Sequence, residues 1–281
     1  MSTFSKVLLA TDLSQQSANL TKCLCSLCPD RETEVVLAHV LEEDDDADPH
    51  GNNFQKVSEH LSACKQDLAK AGYQEVSTIT PAGNEPDEIL NMVADEISAD
   101  LLMVAAHEKN FFQRALLGST SRDLAEIATV PLFINDDDGD DRDNLLEKIL
   151  VPTDFSRKSL EGLNIIRGLR EYVGKVYFMH VIEHSRSKED YKEHFAAAKL
   201  FLQELVDEMK LFGVESDFVI SKGVASKQIS KLCAREHINL VMMSKTGAGM
   251  TSDQGIGSTS HNVVENAACA ILLLPAEDND D

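Results

Sequence analysis

The stretch Lys6-Val-Leu-Leu-Ala-Thr-Asp-Leu-Ser14 decides the fold of this chain, because it returns as Lys148-Ile-Leu-Val-Pro-Thr-Asp-Phe-Ser156. Each copy joins a short apolar run, typical of a buried strand, to Thr-Asp and then to a serine that can cap a helix. A strand followed directly by a helix is the first half of a βαβ unit. The repetition therefore predicts two similar α/β units in one chain.

Three further matches follow in the same order along the chain. They pair Ala38-His-Val40 with Met179-His-Val181, Asp100-Leu-Leu-Met-Val104 with Asn239-Leu-Val-Met-Met243, and Gly118-Ser-Thr-Ser121 with Gly257-Ser-Thr-Ser260. Four ordered matches indicate an internal duplication. An acidic, glycine-containing stretch at about 136–144 separates the copies and is typical of a linker. We therefore predict domains at 1–140 and 145–281, and a length of 281 residues suits two such domains.

Short apolar runs alternate with longer amphipathic stretches within each copy, which predicts a parallel sheet covered by helices. The strands of the first copy are predicted to be apolar on both faces. The predicted strands lie near 7–10, 35–40, 76–80, 101–104 and 130–134, and then near 149–151, 176–181, 218–220, 240–243 and 270–274. The predicted fold class is α/β, with two tandem doubly wound five-stranded parallel sheets.

The longest predicted helix lies in the second copy, at about 189–211. Apolar side chains recur along it at helical spacing and form one stripe, as expected for a helix that packs on a sheet. The stripe consists of Phe195, Ala198, Leu202, Leu205 and Met209.

The charge and hydropathy of the chain exclude several classes of partner. A formal net charge of −22 opposes binding to nucleic acid and to anionic membranes, since both need basic surface. No run approaches the roughly 18 apolar residues of a membrane-spanning helix. The first residues also lack the apolar core and cleavage site of a signal peptide, so we expect a cytoplasmic protein.

The six cysteines lack the paired spacing of a zinc site or a disulfide framework, so we predict buried thiols. The cluster Cys23, Cys25 and Cys28 lies within two helical turns, and redox or metal chemistry there stays an open alternative. A calcium loop at 136–143 would need the EF-hand spacing and its closing glutamate, and neither is present. No metal site is predicted.

Polar residues follow the first strand of each copy, as Thr11-Asp12 and Thr153-Asp154. In an open parallel sheet, ligands bind beyond the carboxyl ends of the strands where the strand order reverses. An aspartate there can bind the hydroxyls of a ribose, or it can simply brace the first turn of the following helix. Both interpretations stay open at this point.

The fourth strand of the second copy ends in Ser244-Lys-Thr-Gly247, and Gly257-Ser258-Thr259-Ser260 opens the last helix after an interval of nine residues. Small residues allow backbone amides to approach a phosphate, and a helix N-terminus favours negative charge. The sequence therefore predicts a phosphate-binding region at this place.

These motifs resemble the universal stress protein family. Its ATP-binding members carry Gly-x-x-Gly, nine residues and Gly-Ser/Thr here, with an aspartate after strand one and a residue after strand two that holds adenine through its backbone. The resemblance implies the universal stress protein fold and a site for ATP, or for AMP or ADP, with Mg²⁺ accompanying the phosphates. Ser244 departs from the pattern at the first glycine. The implied residues are Pro152, Thr153, Asp154, Val181, Ser244, Gly247, Gly257, Ser258, Thr259 and Ser260.

The first copy departs further from the family pattern, because Ala105 and Glu108 stand at its two loop glycines. The charge of Glu108 opposes a polyphosphate, so we expect weak or no triphosphate binding in this half. The run Phe111–Ser121, in contrast, is closer to the family pattern than 248–256. The corresponding residues are Ala10, Thr11, Asp12, Val40, Ala105, Gly118, Ser119, Thr120 and Ser121.

Three functions compete at this stage. The resemblance favours a cytoplasmic stress-response regulator that binds an adenine nucleotide, with the copies paired through their last strands, a further pairing as a homodimer, and an unidentified protein partner. A scaffold of the same fold without nucleotide is the alternative. An ATP pyrophosphatase would need Ser-Gly-Gly-x-Asp-Ser after the first strand, and a phospho-receiver would need an aspartate after the third. Catalysis beyond slow ATP hydrolysis is not expected, since we predict His39 and His180 to be packed strand residues.

Overall fold

The computed structural model of the chain describes residues 3–41, 52–106, 119–135, 144–247, 255–266 and 268–275. The chain divides into two compact units, Met1–Asp138 and Gly139–Asp281. The division falls within the acidic stretch 136–144, of which 136–143 lie outside the described residues.

The first unit is a parallel sheet of five strands with helices between them. Its elements are β1 (Lys6–Ala10), α1 (Gln15–Leu27), β2 (Glu34–Ala38), α2 (Asn52–Lys70), β3 (Val76–Ile79), α3 (Pro86–Glu96), β4 (Leu101–Ala105), α4 (Ser119–Ile127) and β5 (Leu132–Asn135). The strand order is β3-β2-β1-β4-β5, and all four pairings are parallel. The order therefore reverses between β1 and β4.

The second unit repeats this topology. Its elements are β6 (Lys148–Pro152), a 3₁₀ turn (Lys158–Leu160), α5 (Gly162–Gly168), β7 (Lys175–Ile182), α6 (Lys188–Leu211), β8 (Glu215–Lys222), α7 (Ala225–Glu236), β9 (Leu240–Ser244), α8 (Ser258–Asn266) and β10 (Ala270–Leu274). The order is β8-β7-β6-β9-β10, again parallel throughout. The reversal here lies between β6 and β9.

The central strands are buried in both units, but the edge strand β3 corrects one prediction. Val7, Leu8 and Leu9 of β1 are at most 2% exposed. Ser77 and Thr78 of β3 are exposed, so this strand is not apolar on both faces as predicted. A strand at the edge of a sheet has a neighbour on one side only, so polar residues are tolerated there.

The bounds of two strands, β5 and β8, also differ from the predictions for a physical reason. β5 begins at Leu132 instead of 130, because Pro131 has no backbone N–H to donate to a ladder. β8 runs over Glu215–Lys222, well beyond the predicted 218–220, and pairs with β7 along its whole length. The predicted strand was too short because the residues at both ends of β8 are polar, and an edge strand does not need a continuous apolar run.

Helix α6 begins at a capped N-terminus, since Asp190 N donates to Ser187 Oγ at 3.1 Å. Of the predicted apolar stripe, Ala198, Leu202, Leu205 and Met209 are buried, but Phe195 is 38% exposed. Phe195 contacts the ring of Tyr191 on the same helix, with ring centroids 6.1 Å apart. Its assignment to the core stripe is therefore wrong.

The six cysteines form no disulfide, and three of them are not buried as predicted. Cys28, Cys233 and Cys269 are buried, whereas the other three, at positions 23, 25 and 64, are partly exposed. Within the part of the chain that the structure describes, no group of three or more His, Cys, Asp or Glu side chains could hold a metal ion. Of the described helices, none has the length and apolar character needed to cross a membrane.

Candidate functional site

The first strand of each unit ends in the same turn. In the second unit, Phe155 N donates to Thr153 Oγ1 at 2.9 Å, and Ser156 N donates to Asp154 Oδ1 at 3.0 Å. In the first unit, Leu13 N donates to Thr11 Oγ1 at 3.1 Å, and Ser14 N donates to Asp12 Oδ1 at 2.9 Å. Phe155 and Leu13 both have φ of 66°, a left-handed conformation that costs a residue with a side chain roughly 1 kcal/mol or more. The side-chain hydrogen bonds hold the turn in this conformation.

One oxygen of Asp154 braces the turn, and the other faces the loop after β9. Asp154 Oδ1 also accepts from Ser156 Oγ at 2.5 Å. A Cβ atom built on Gly247 would lie 3.1 Å from Asp154 Oδ2, which is a tight contact. Oδ1 therefore braces the turn while Oδ2 lies beside Gly247, and the bracing role keeps this carboxylate in the lining of the cavity described below. A side chain at 247 would therefore require Asp154 to shift by a few tenths of an ångström.

Hydrogen bonds within the protein hold the loop that follows β9. Ser244 Oγ donates to Thr246 O at 2.6 Å, and Gly257 N donates to Lys245 O at 2.9 Å. Ser260 Oγ donates to Ser244 O at 2.9 Å, and in the first unit Ser121 Oγ donates to Ala105 O at the same distance. These serines therefore attach the last helix of each unit to its fourth strand.

A histidine lies near the carboxyl end of the second strand in each unit, His39 directly after β2 and His180 within β7. His180 Nδ1 lies 2.9 Å from Thr153 O, and His39 Nδ1 lies 2.8 Å from Thr11 O. Because a carbonyl oxygen only accepts, Nδ1 carries the hydrogen in both rings. The His180 ring also stacks on Phe155, with centroids 4.3 Å apart. Both histidines are only partly buried, and both line a cavity, which the sequence did not indicate. His39 also lies outside β2, so the prediction of packed strand residues needs correction.

A cavity of about 280 Å³ opens at the carboxyl ends of β6, β7 and β9. All ten residues predicted for the second domain line it: Pro152, Thr153, Asp154, Val181, Ser244, Gly247, Gly257, Ser258, Thr259 and Ser260. Its position is the point where the strand order reverses, the usual ligand site of such sheets. Its volume is close to the lower end, about 300 Å³, of ligand pockets.

Other residues of this second-unit cavity were missed by sequence reasoning. They are Ser159, Met179, His180, Glu183, Ala225, Ile229, Met243 and Thr246. Glu183 Oε1 accepts from Ala225 N at 2.7 Å and so caps the first turn of α7. Thr246 Oγ1 is buried and, within the described residues, has no hydrogen-bond partner. No local motif marks these positions, although the match of Met179-His-Val181 to the first copy pointed to the strand end.

The first unit has a cavity of about 380 Å³ at the equivalent place. The predicted residues that line it are Ala10, Thr11, Asp12, Val40, Ala105, Ser119, Thr120 and Ser121. Ala38, His39, Pro86, Leu90 and Val104 complete the lining. Gly118 and Glu108 lie outside the described residues, as does the run 111–117. The expectation of weak triphosphate binding in this half therefore stays a prediction.

The cluster Cys23, Cys25 and Cys28, on α1 and directly after its last residue, does not line either cavity. Burial is the main reason that the pKa of the Cys28 thiol is raised to about 12. A thiol with such a pKa stays protonated at neutral pH and is a poor nucleophile and metal ligand. Cys28 therefore does not support the redox alternative.

The architecture and both cavities can be compared with known proteins. The sequence model of the universal stress protein family matches residues 3–134 and again 146–275. The chain belongs to the universal stress protein family. The family resemblance and the tandem α/β fold predicted from the sequence are thereby confirmed.

Individual relatives agree with this assignment. A universal stress protein of Methanocaldococcus jannaschii is 26% identical over 145 residues, which cover 47% of this chain and 84% of that protein. The structure of a universal stress protein from Archaeoglobus fulgidus matches with a TM-score of 0.75 at 22% identity, covering 98% of this chain and 97% of that one. A putative universal stress protein from Pseudomonas aeruginosa matches with a TM-score of 0.72 at 17% identity, covering 97% and 94%. At these identities the two structures show the shared fold alone.

Proposed function

We propose that this universal stress protein binds an adenine nucleotide, ATP or AMP/ADP, in the second-unit cavity and acts as a nucleotide-responsive regulator of the stress response. One observation carries the proposal. Four separate stretches of sequence, at 152–154, 181, 244–247 and 257–260, supply the residues expected from the family pattern, and all of them line one cavity.

The lining offers a suitable group for each part of such a ligand. Asp154 Oδ2, beside Gly247, is placed to accept from ribose hydroxyls. The backbone at Val181, one residue before the end of β7, can pair with the edge of a base. The first N–H groups of α8 have no carbonyl partner within the helix and favour an anion. Ser258 and Thr259 stand at that helix start.

The hydroxyls of Ser244 and Ser260 are assigned a positioning role, because they already donate within the protein. They hold the loop and the helix start at a distance that leaves room for a ligand. The departure from glycine at 244 is therefore compatible with binding, since its side chain folds back onto the loop. If magnesium accompanies ATP, it offsets part of the phosphate charge.

Calorimetric titration of the purified chain with ATP and magnesium tests the proposal. We expect one site per chain, and we expect Gly247→Glu to abolish binding, because the new side chain meets Asp154 and adds a second negative charge. Gly257→Glu should have the same effect at the start of α8. Circular dichroism checks that both variants keep the fold.

Gly247→Gln is the matched control for bulk without charge. It should weaken binding less than Gly247→Glu if electrostatic repulsion contributes, and equally if bulk alone acts. Undiminished affinity in both glutamate variants would place the ligand elsewhere. Absence of heat with every adenine nucleotide, and of nucleotide in the purified sample, would favour the nucleotide-free scaffold.

The remaining predictions concern the location of the protein and the molecules with which it pairs. We predict a cytoplasmic location and pairing of the two copies through their last strands. We also predict pairing of chains as a homodimer and a protein partner that responds to the nucleotide. Sedimentation of the full chain with and without ATP would test whether chains pair.

A further inference from the structure

A second concave site lies in the second unit, beside the edge strand β8. This groove of about 650 Å³, the edge groove, is formed by the segment after β7, the first two turns of α6 and the last residue of β8. Of the described residues that line it, only Glu183 also lines the second-unit cavity. The ionisable residues of the edge groove are Glu183, His184, Arg186, Asp190, His194 and Lys222.

Both carboxylates of the edge groove are already used by the protein at the starts of helices. Glu183 Oε1 accepts from Ala225 N, the first residue of α7, at 2.7 Å. Asp190 Oδ2 accepts from Arg186 N at 2.7 Å, just before α6, and Asp190 Oδ1 lies 3.6 Å from His194 Nε2. A helix N-terminus is equivalent to roughly half a positive charge, which offsets part of each carboxylate charge. Their repulsion of another anion is thereby reduced.

The cationic head groups of the edge groove, in contrast, are not used to hold the fold. Among the described residues, the guanidinium of Arg186 and the ring of His184 have no hydrogen-bond or ion-pair partner. The ammonium of Lys222 lies 5.0 Å from the centre of the Tyr191 ring, and this cation–π contact keeps it at the groove. Within the same part of the chain it has no carboxylate partner. Two positive charges without a carboxylate partner therefore line one groove, in a chain whose net charge is −22.

We propose that the edge groove binds a phosphoryl group, either as inorganic phosphate or as the phosphate monoester of a small molecule. The guanidinium of Arg186 can donate to two phosphate oxygens at once, and the ammonium of Lys222 adds a point charge from another element. An imidazole provides an N–H donor in either protonation state. Donors from several elements suit a tetrahedral oxyanion better than a planar carboxylate, because one guanidinium already satisfies both carboxylate oxygens. The site is separate from the nucleotide site proposed above and does not depend on it.

Titration of the full chain with sodium phosphate near pH 7 and at low salt, followed through the NMR shifts of backbone amides, tests this site. We expect saturable shifts within 183–194 and at Lys222. Arg186→Gln and Lys222→Gln should each weaken binding by at least about fivefold, because each loses a charge-assisted hydrogen bond. Lys199→Gln is the matched control, since Lys199 is exposed on α6 outside the groove. It makes the same change in net charge and should leave the affinity unchanged.

Two further ligands define the chemistry of the site. Glycerol 3-phosphate that binds as tightly as inorganic phosphate would indicate a monoester, whereas weaker binding would indicate the free ion, and either result agrees with a phosphoryl site. Acetate carries a planar oxyanion and should bind much more weakly than phosphate. Gly257→Glu, which is designed to block the second-unit cavity, should leave the phosphate shifts within 183–194 in place.

Several results would overturn the edge groove as a phosphoryl site. Phosphate shifts confined to the start of α8 would assign the ion to the second-unit cavity instead. Equal weakening by Arg186→Gln and Lys199→Gln, or acetate binding as tight as phosphate binding, would show a general response to surface charge. An oligo-aspartate peptide that binds more tightly than phosphate would assign the groove to an acidic peptide partner.

Discussion

The hydroxyl group of Tyr73 caps the carboxyl end of α1. The buried hydroxyl lies 3.0 Å from Cys28 O and 3.2 Å from Leu24 O, and it accepts from Arg31 Nη1 at 2.7 Å. Arg31 Nη1 also donates to Cys25 O and Cys28 O, at 2.8 and 2.9 Å. The last carbonyls of a helix have no partner within it, so these two side chains supply the missing donors.

We predict that Tyr73→Phe lowers the free energy of unfolding of the first unit by about 1–3 kcal/mol, because it leaves buried polar groups without a partner. Urea unfolding, followed by hydrogen exchange of the first-unit peptides, measures the loss. Tyr172→Phe is the control, since Tyr172 is 50% exposed and should change stability by less than about 0.5 kcal/mol. Equal effects of the two substitutions would contradict the capping role.

The thiol of Cys28 provides a prediction about reactivity. Because burial raises its pKa to about 12, from an ordinary value near 9.0, it should react with iodoacetamide at pH 8 far more slowly than the partly exposed Cys25. Mass spectrometry of the labelled peptide separates the two sites. Labelling of Cys28 in the native protein as fast as that of Cys25 would show that the site is open.

The same thiol links stability to pH. A group with a raised pKa in the folded state contributes stability that is complete below the unfolded pKa and is lost as the pH rises toward the folded pKa. For Cys28 that window runs from about 9 to about 12. Tyr73 acts in the same direction, since burial also raises the pKa of its hydroxyl. The unfolding free energy of the first unit should therefore fall above pH 9, and less steeply in Cys28→Ala.

At the scale of single elements, the N-terminus of α6 depends on Ser187. The serine accepts from Asp190 N, and Glu189 and Asp190 place negative charge in the first turn. Both features stabilise the start of a helix. This helix packs on β7 and β8.

Replacing Ser187 should lower the stability of the second unit moderately, and another residue that accepts a hydrogen bond should restore it. We expect Ser187→Ala to destabilise the second unit by about 1 kcal/mol, and Ser187→Asp, which keeps an acceptor, to restore most of it. Thermal unfolding monitored by circular dichroism measures both variants. An aspartate variant as unstable as the alanine variant would mean that the hydroxyl acts by some contact other than capping.

At the scale of the whole molecule, the chain divides into two compact units, so a defect in one core should stay there. Gly174 permits a close contact, because a Cβ at this position would lie 2.4 Å from the backbone oxygen of Glu147. Any side chain at 174 therefore forces the backbone to shift at the start of β6 or β7.

We predict that Gly174→Ala lowers the stability of the second unit by about 1–3 kcal/mol and leaves hydrogen exchange in the first unit unchanged. Gly213→Asn is the control, because a Cβ at Gly213 meets nothing within 4 Å and asparagine tolerates its φ of 76°. Faster exchange in both units of the alanine variant would show that the two cores unfold together.

The sequence alone determined the duplication, the α/β fold class and the residues expected at the second-unit cavity. Local patterns suffice for this, because apolar runs mark strands and parallel strands bring their carboxyl ends to one edge of the sheet. Residues at or just after the carboxyl ends of the first, second and fourth strands, such as Asp154, Val181 and Gly247, therefore meet.

Only the tertiary structure decided which other groups surround that cavity and how the predicted ones are used. Ile229 and Glu183 reach it because α7 packs beside β7, a contact between distant parts of the chain that no local pattern encodes. The hydrogen bond from Ser260 Oγ to Ser244 O depends on atomic distances. So do the different neighbours of the two Asp154 oxygens, Ser156 N at Oδ1 and Gly247 at Oδ2. The exposure of β3 likewise followed from its place at the edge. Periodicity reports which residues are apolar, whereas packing determines which atoms meet.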